Sequence, residues 1–152
     1  MSETEEALGS DLRLFDLPIG ADLSLTRKER AAGEAVKEYG DLDVVSGSLN
    51  LGQAILSRLR TNRGEIADLG FPDYGSRLFE YIGEPNDAST REKLRLMVLE
   101  ALAHEPRIKE VVNVVVKPAE NDLNGVIIEM AVVPLGGFTA LSVVYPFFLE
   151  VA

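Results

Sequence analysis

The stretch that decides the fold is VVNVVVKPAENDLNGVIIEMAVVPLGGFTALSVVY, residues 111–145. Three of its runs are dominated by apolar residues that favour strands: Val111–Val116, Val126–Val133 and Leu141–Tyr145. The loop Asn121–Gly125 separates the first two runs, and a Gly-Gly pair separates the last two. The pattern therefore predicts a three-stranded antiparallel meander in the C-terminal part of the chain.

Helices are predicted before this meander. Ser48 is a candidate N-cap for a helix that runs to about Thr61, with Arg58 near the negative pole of its dipole. Residues 89–92, Ser-Thr-Arg-Glu, match a capping box, and apolar residues follow at helical spacing until Pro106. We also expect short strands at Asp11–Phe15, Asp22–Leu25 and Asp41–Ser46, a third helix at Arg27–Glu38 and two helical turns at Ser76–Ile82. The sequence thus predicts an α+β fold, in which two to three helices pack on a small, mainly antiparallel sheet formed largely by the C-terminal strands.

Composition and charge limit the possible functions. The chain has 152 residues and a formal net charge of −10, with no cysteine, so disulfides, thiolate nucleophiles and zinc-thiolate sites are excluded. The negative charge disfavours direct nucleic-acid binding. We expect residues 1–10 to form a flexible acidic tail and residues 11–152 to form one domain. Because neither an export signal nor an apolar run of about 20 residues is seen, we expect cytoplasmic assembly without membrane insertion.

Residues that could carry chemistry are few. His104 is the only histidine, and at a helix end it is more often structural than catalytic. Phosphate-binding and calcium-binding patterns are incomplete, so we predict no catalytic residue, no cofactor and no metal. One enzymatic alternative remains, a small acidic, lysozyme-like hydrolase that uses a carboxylate pair. The candidate carboxylates are Glu65, Asp68, Glu100 and Glu105.

Two segments contain more polar residues and glycine than a purely structural role would require. In Leu49–Glu84, Arg, Glu, Asn, Gln, Gly and Tyr are closely spaced. In Glu105–Arg107, the proline ring holds a carboxylate and a guanidinium at a rigid corner. Such a corner suits either a fixed joint to another chain or a local helix stop with an exposed ion pair of little energetic weight. The residues alone favour neither interpretation.

These segments resemble the baseplate wedge family of contractile tails, called gene-product-twenty-five-like or W-like, which occurs in phages, tailocins, extracellular contractile injection systems and type VI secretion. The similarity extends over about 140 residues, from Asp11 to Val151. The matching motifs are Asp41–Gly47, Asn50–Leu51, Gln53–Ile55, Arg58–Leu59, Thr61, Arg63–Glu65, Pro72–Ser76, Ile82–Glu84 and Glu105–Ile108. The acidic tail and the segment Arg27–Gly40 are longer than the family's usual lead-in.

The resemblance implies a structural subunit and not an enzyme. It implies that the chain joins the inner baseplate wedge to the sheath and templates the first sheath ring by β-strand addition. Expected partners are wedge proteins, a sheath subunit and central spike or tube-side proteins, with six copies around a six-fold axis. Wedge contacts are implied at Glu105, Pro106, Arg107, Arg63, Glu65 and Tyr74. Sheath-strand docking is implied at Ile128, Met130, Val132, Ser142 and Val144, on an open edge formed by Val126–Val133 or by Leu141–Val151.

Overall fold

The computed structural model describes residues 7–12, 14–17, 20–23 and 44–150, and for residues 14–17, 20–23 and 44 it describes the backbone alone. The predicted helix Arg27–Glu38 lies outside the described residues, as do residues 1–6 of the predicted tail. Leu8, also in the predicted tail, is buried and belongs to the hydrophobic core. Residues 7–10 are thus part of the packed domain.

The described elements form an α+β fold, which confirms the predicted class. In chain order they are β1 (Ser10–Leu12), β2 (Leu14–Leu17), β3 (Gly20–Leu23), β4 (Val44–Ser46), α1 (Gly47–Arg60), α2 (Ala88–Ala103), β5 (Ile108–Pro118), β6 (Gly125–Pro134) and β7 (Leu141–Phe148). Two short 3-10 helices, Ala67–Leu69 and Leu78–Tyr81, lie between α1 and α2. The helical segment predicted at Ser76–Ile82 is therefore present but shorter than expected, since it forms the second 3-10 helix and not two helical turns.

The main sheet has the order β5-β6-β7, and both pairings are antiparallel. This confirms the predicted meander. Of the two candidates for an open edge, Val126–Val133 is wrong, because it lies in β6, the central strand. In β5, Lys109 and Val112 are extra residues that interrupt the register with β6 and form two bulges. Two small antiparallel pairs, β1 with β4 and β2 with β3, complete the strand pairings described.

The hydrophobic core lies between the sheet and the two helices. Alternate residues of β6 point into it, and Val126, Ile128, Met130 and Val132 are each at most 2% exposed. Helix α1 contributes Leu51, Ile55 and Leu59, and α2 contributes Leu94, Val98 and Leu102. The opposite face of β6, which carries Ile127 and Glu129, is only half-buried. Both helices therefore lie on the same face of the sheet.

The predicted helix starts are wrong by two residues each. Ser46, and not Ser48, is the N-cap of α1, and its side chain makes no capping hydrogen bond. Helix α2 is capped by Asp87, whose carboxylate accepts a hydrogen bond from the Thr90 N–H at 2.7 Å. This bond lowers the pKa of Asp87. The predicted capping box does not form, because the Glu92 carboxylate binds Arg95 instead.

Candidate functional site

Glu105 is a buried carboxylate at the turn between α2 and β5. It is only 4% exposed. Its Oε2 accepts a hydrogen bond from Arg58 Nη2 at 3.2 Å, and its Oε1 accepts one from Arg107 Nε at 2.7 Å. The Arg107 backbone N–H also donates to Oε1, at 3.3 Å. The carboxylate thus connects the end of α1 to the start of β5, and we call Arg58, Glu105 and Arg107 the corner cluster.

The corner cluster keeps Glu105 ionised. Burial raises the pKa of this carboxyl group, but the hydrogen bonds and charge of Arg107 and the hydrogen bond from Arg58 lower it more. The pKa therefore lies below its ordinary value. A carboxylate held in the charged form between two guanidinium groups accepts hydrogen bonds, and it has no proton to give to a leaving group at neutral pH.

Tyr74 closes the corner cluster from one side. The Arg58 guanidinium carbon lies 4.5 Å from the centroid of the Tyr74 ring, in cation-π geometry. Burial raises the pKa of Tyr74, which keeps the hydroxyl group neutral beside these charges. Arg58 is itself buried, and its Nε has no hydrogen-bond partner among the residues described. Each of these groups holds its neighbour in a fixed position.

The loop from Thr61 to Ser76 is closed by backbone bonds at its base. The Ser76 N–H donates to the Thr61 carbonyl and the Arg63 N–H donates to the Ser76 carbonyl, both at 2.9 Å. The Ser76 hydroxyl group donates to the Leu59 carbonyl at 2.7 Å. Gly75 has a φ of 107°, and a Cβ there would lie 2.5 Å from the Thr61 carbonyl oxygen. Only glycine fits this crossing, so we call residues 61–76 the locked loop.

The predicted wedge-contact residues do not all belong to one cluster. Arg63 lies at the base of the locked loop, where its guanidinium binds the Glu100 carboxylate and, at 3.4 Å, the Asp73 carboxylate. Glu65 is exposed and accepts a hydrogen bond from the Asn62 N–H at 2.9 Å. Pro106 is exposed beside Glu105. The structure therefore brings Glu105, Arg107 and Tyr74 together, and it leaves Arg63 and Glu65 outside the corner cluster.

The tip of the locked loop presents apolar side chains to solvent. Leu69 is 73% exposed and Phe71 is 59% exposed. They lie on either side of Gly70, which has a φ of 90°. Aromatic side chains are enriched at protein interfaces, so the exposed Phe71 marks the tip as a candidate contact. Neither residue could be singled out from the sequence, because a single apolar residue in a turn-rich segment carries no periodic signal.

The second edge of β7 is open in the part of the chain that the structure describes, because β6 occupies only one side. Pro146 lies opposite Ile127 in an unbroken register, and proline has no N–H to give to that pairing. Since alternate residues of an antiparallel strand point their backbone groups to opposite edges, Pro146, Val144 and Ser142 all face the open edge. Leu149 belongs to the other alternate set of residues, and its N–H donates to the Asn124 carbonyl at 2.8 Å on the β6 side.

A groove runs beside this open edge, between β7 and α1. Its volume is about 390 Å³. It is lined by Val45, Ser48, Leu49, Gly52, Gln53, Leu56, Ser57, Arg60, Leu141, Ser142, Val143 and Val144. Of the predicted sheath-contact residues, Ser142 and Val144 lie at this groove, whereas Ile128, Met130 and Val132 are buried in the core. The open backbone groups of β7 and the groove, whose lining is both apolar and polar, thus form one continuous surface.

Comparison with known protein families identifies the fold. The profile of the family described as baseplate wedge protein gp25 matches residues 50–132, more than half of the chain. The chain belongs to the baseplate wedge protein gp25 family. The matched region runs from α1 to β6 and includes the corner cluster and the locked loop. This member of the gp25 family is therefore a baseplate component of a tail-like particle, and other baseplate subunits are its partners.

Two solved structures are similar to this gp25-family chain. A Geobacter sulfurreducens protein, provisionally named a tail lysozyme, is 27% identical with a TM-score of 0.59, and the match covers 68% of this chain and 92% of that one. A type VI secretion system baseplate complex contains a chain that is 19% identical with a TM-score of 0.48, covering 68% and 91% respectively. No curated protein sequence matches the chain.

Neither a metal cluster nor a membrane span is found among the described residues of this gp25-family chain. They contain no group of three His, Cys, Asp or Glu side chains that could hold a metal ion. Their helices are too short or too polar to cross a bilayer. His104 lies with its Nδ1 2.9 Å from the Glu100 carbonyl oxygen at the end of α2.

The importance of Arg58 was underestimated from the sequence. An arginine near the end of a helix is already explained by its interaction with the negative pole of the helix dipole.

Proposed function

We propose that the chain is a rigid connector between the baseplate wedge and the sheath. The tip of the locked loop binds a neighbouring wedge subunit, and the open edge of β7 accepts a strand from a sheath subunit, so that the first sheath ring is templated on it. The observation that carries this proposal is the continuous surface formed by the outward backbone groups at Ser142 and Val144 and the groove beside them. Unpaired strand groups are satisfied best by another strand.

The corner cluster acts on the wedge side indirectly. Glu105 and Arg58 are buried and bond to each other, so neither is available to a neighbouring chain. Their bonds fix the end of α1 against the start of β5, and Tyr74 fixes the locked loop against Arg58. A loop that is already ordered loses little conformational entropy when it binds. The cluster therefore positions Leu69 and Phe71, which make the contact themselves.

The wedge contact is tested by placing charge at the loop tip. We expect Leu69→Asp with Phe71→Asp to leave the melting temperature near that of the parent, because both side chains are exposed, and to abolish co-purification with baseplate subunits. Leu123→Asp is the matched control, because Leu123 is 92% exposed and its carbonyl accepts a hydrogen bond from Asn86 beside the start of α2, whereas the locked loop binds Glu100 near the end of that helix. Co-purification of the double variant at the parental level would place the wedge contact elsewhere.

The sheath contact is tested by removing one backbone donor from β7. Val144→Pro deletes an outward N–H on an edge strand, where proline is tolerated. We expect the variant to fold and to join baseplates that carry no sheath, as seen by negative-stain microscopy. The same substitution at Met130, in the central strand, should instead prevent folding, because that residue is buried. Full-length sheath on Val144→Pro baseplates would refute strand addition at this edge.

The alternative of a lysozyme-like hydrolase has less support from the candidate carboxylates, although a structural relative carries that name. Glu105 is held in its charged form by two guanidinium groups, Glu100 is bound by Arg63, and Glu65 is occupied by a backbone N–H. A glycosidase needs one carboxyl group with a raised pKa to protonate the leaving group. We expect purified protein to show no peptidoglycan hydrolysis above a buffer blank. Turnover that Glu105→Gln or Glu65→Gln abolishes would restore the enzymatic alternative.

A further inference from the structure

Gly52 lies in the interior of α1 and lines the groove beside β7. Glycine in a helix interior is unfavourable relative to alanine, because it has more backbone freedom to lose on folding. A glycine is retained in such a place when the backbone needs a positive φ or when a neighbour leaves no room for a side chain. The conformation and the surroundings of Gly52 distinguish these cases.

Neither of these requirements comes from the described part of the chain itself. Gly52 is not among the glycines with a positive φ. Among the described residues, a Cβ built at this position meets Leu141 Cδ2 alone, at 3.9 Å, which is an ordinary van der Waals contact with the end of a flexible side chain. The described residues would therefore accommodate alanine, which favours the helix. The contrast with Gly75, where backbone atoms exclude any Cβ, is direct.

The space above Gly52 lies where an added strand would point a side chain. Residues that lie opposite each other in neighbouring strands direct their side chains to the same face of the sheet. A strand that bonds to the outward groups of Ser142 and Val144 has, between these two positions, one residue opposite Val143. Val143 points inward and lines the groove together with Gly52 and Leu56. The side chain of that residue therefore enters the groove.

We propose that Gly52 and Pro146 together determine which strand β7 accepts, an inference that rests on the proposed function. The missing Cβ of Gly52 leaves a socket for one apolar side chain, opposite Val143, of a strand from another subunit. Pro146 fixes the register, because the outward donors at Ser142 and Val144 are followed by a position that has a carbonyl and no N–H. A strand shifted by one residue would turn its apolar side chain away from the groove.

The test fills the socket and leaves the open edge intact. We expect Gly52→Ala and Gly52→Leu to raise the melting temperature of the isolated protein by about 1–4 °C, from the gain in helix propensity at this chain length. We expect Gly52→Leu to weaken binding of the sheath subunit from the same particle by at least tenfold, and Gly52→Ala by less. Ser89→Ala, at an exposed position of α2 away from the groove, is the control for a helix substitution alone.

The outcomes separate this inference from the proposed function when Val144→Pro is measured beside the Gly52 variants. Loss of sheath binding in both Gly52→Leu and Val144→Pro supports the socket. Loss in Val144→Pro with parental binding in Gly52→Leu overturns the socket and leaves strand addition standing. Parental binding in both overturns strand addition itself. A Gly52→Ala protein that melts well below the parent would also overturn the inference, because the fold would then need the glycine.

Discussion

The Glu105→Gln substitution removes one negative charge from the corner cluster and leaves the shape of the side chain nearly unchanged. The side chains of Arg58 and Glu105 are only 9% and 3% exposed, so water cannot replace the lost partner. Removing one member of a buried ion pair costs about 3–5 kcal/mol, because the other charge stays buried without compensation. At this chain length each kcal/mol corresponds to about 2–4 °C, so we expect the melting temperature to fall by about 6–20 °C.

Urea unfolding of the purified protein measures this cost directly, with Glu100→Gln as the matched control. Glu100 binds Arg63, but the two side chains are 34% and 26% exposed, so the control should lose at most about 1 kcal/mol. Combining Glu105→Gln with Arg58→Met removes both charges. The double variant should lose less stability than the sum of the losses of the two single variants. Equal losses in Glu105→Gln and Glu100→Gln, or strict additivity in the double variant, would show that the corner cluster is not a buried ion pair of this kind.

Three further predictions follow from the same contacts. Arg107→Ala should lower the free energy of unfolding by about 1.5–3 kcal/mol, less than Glu105→Gln, because Arg58 still pairs with the carboxylate. A loss as large as that of Glu105→Gln, in the same urea titration, would contradict this. The lowered pKa of Glu105 stabilises the folded protein above the ordinary carboxyl pKa of 4.5, and this contribution is lost as the pH falls through the folded-state pKa. The stability difference between the parent and Glu105→Gln should therefore be constant above about pH 5 and shrink below pH 4.5, and a difference that grows on acidification would be inconsistent with a lowered pKa. Gly75→Ala should destabilise the protein by more than about 2 kcal/mol, because both the positive φ and the Thr61 carbonyl oppose a Cβ. Gly64→Ala, at a residue with a φ of 87° and open space around it, should destabilise it by about 1 kcal/mol. Similar losses for the two alanine variants would rule out a tight crossing at the locked loop.

The meander was predictable because its signals are local. Runs of β-branched residues and the turns between them lie close together in the sequence, and β5, β6 and β7 form where these runs occur. The central position of β6 also follows from two short hairpin loops, a consequence that the expectation of an open edge at Val126–Val133 did not take into account. The helix starts depended on competition between neighbouring caps. For α2 the Asp87 carboxylate reaches the Thr90 N–H and takes the place expected for Ser89.

The corner cluster could not be derived from spacing along the chain. Arg58 and Glu105 are 47 residues apart, and the hydrogen bond between them exists only because α1 and the end of α2 pack on the same face of the sheet. The motif residues around Glu105 pointed to an important corner, but local reasoning gave it an exposed ion pair or a partner in another chain. The groove was equally hidden, because its two walls, α1 and β7, come from distant parts of the sequence.

The two bulges of β5 make the two outer edges of the main sheet unequal as templates for strand addition. At Lys109 and Val112 the strand holds residues that break the regular spacing of its backbone groups, and Pro118 closes its other end. That side of the sheet is therefore a poor template for strand addition, whereas β7 keeps an unbroken register with β6 and has outward donors at Ser142 and Val144. Within the described residues, the main sheet thus has one edge that is suited to accepting a strand. A sheet that pairs through one edge terminates a run of strands, so concentrated solutions of the free subunit should contain dimers at most.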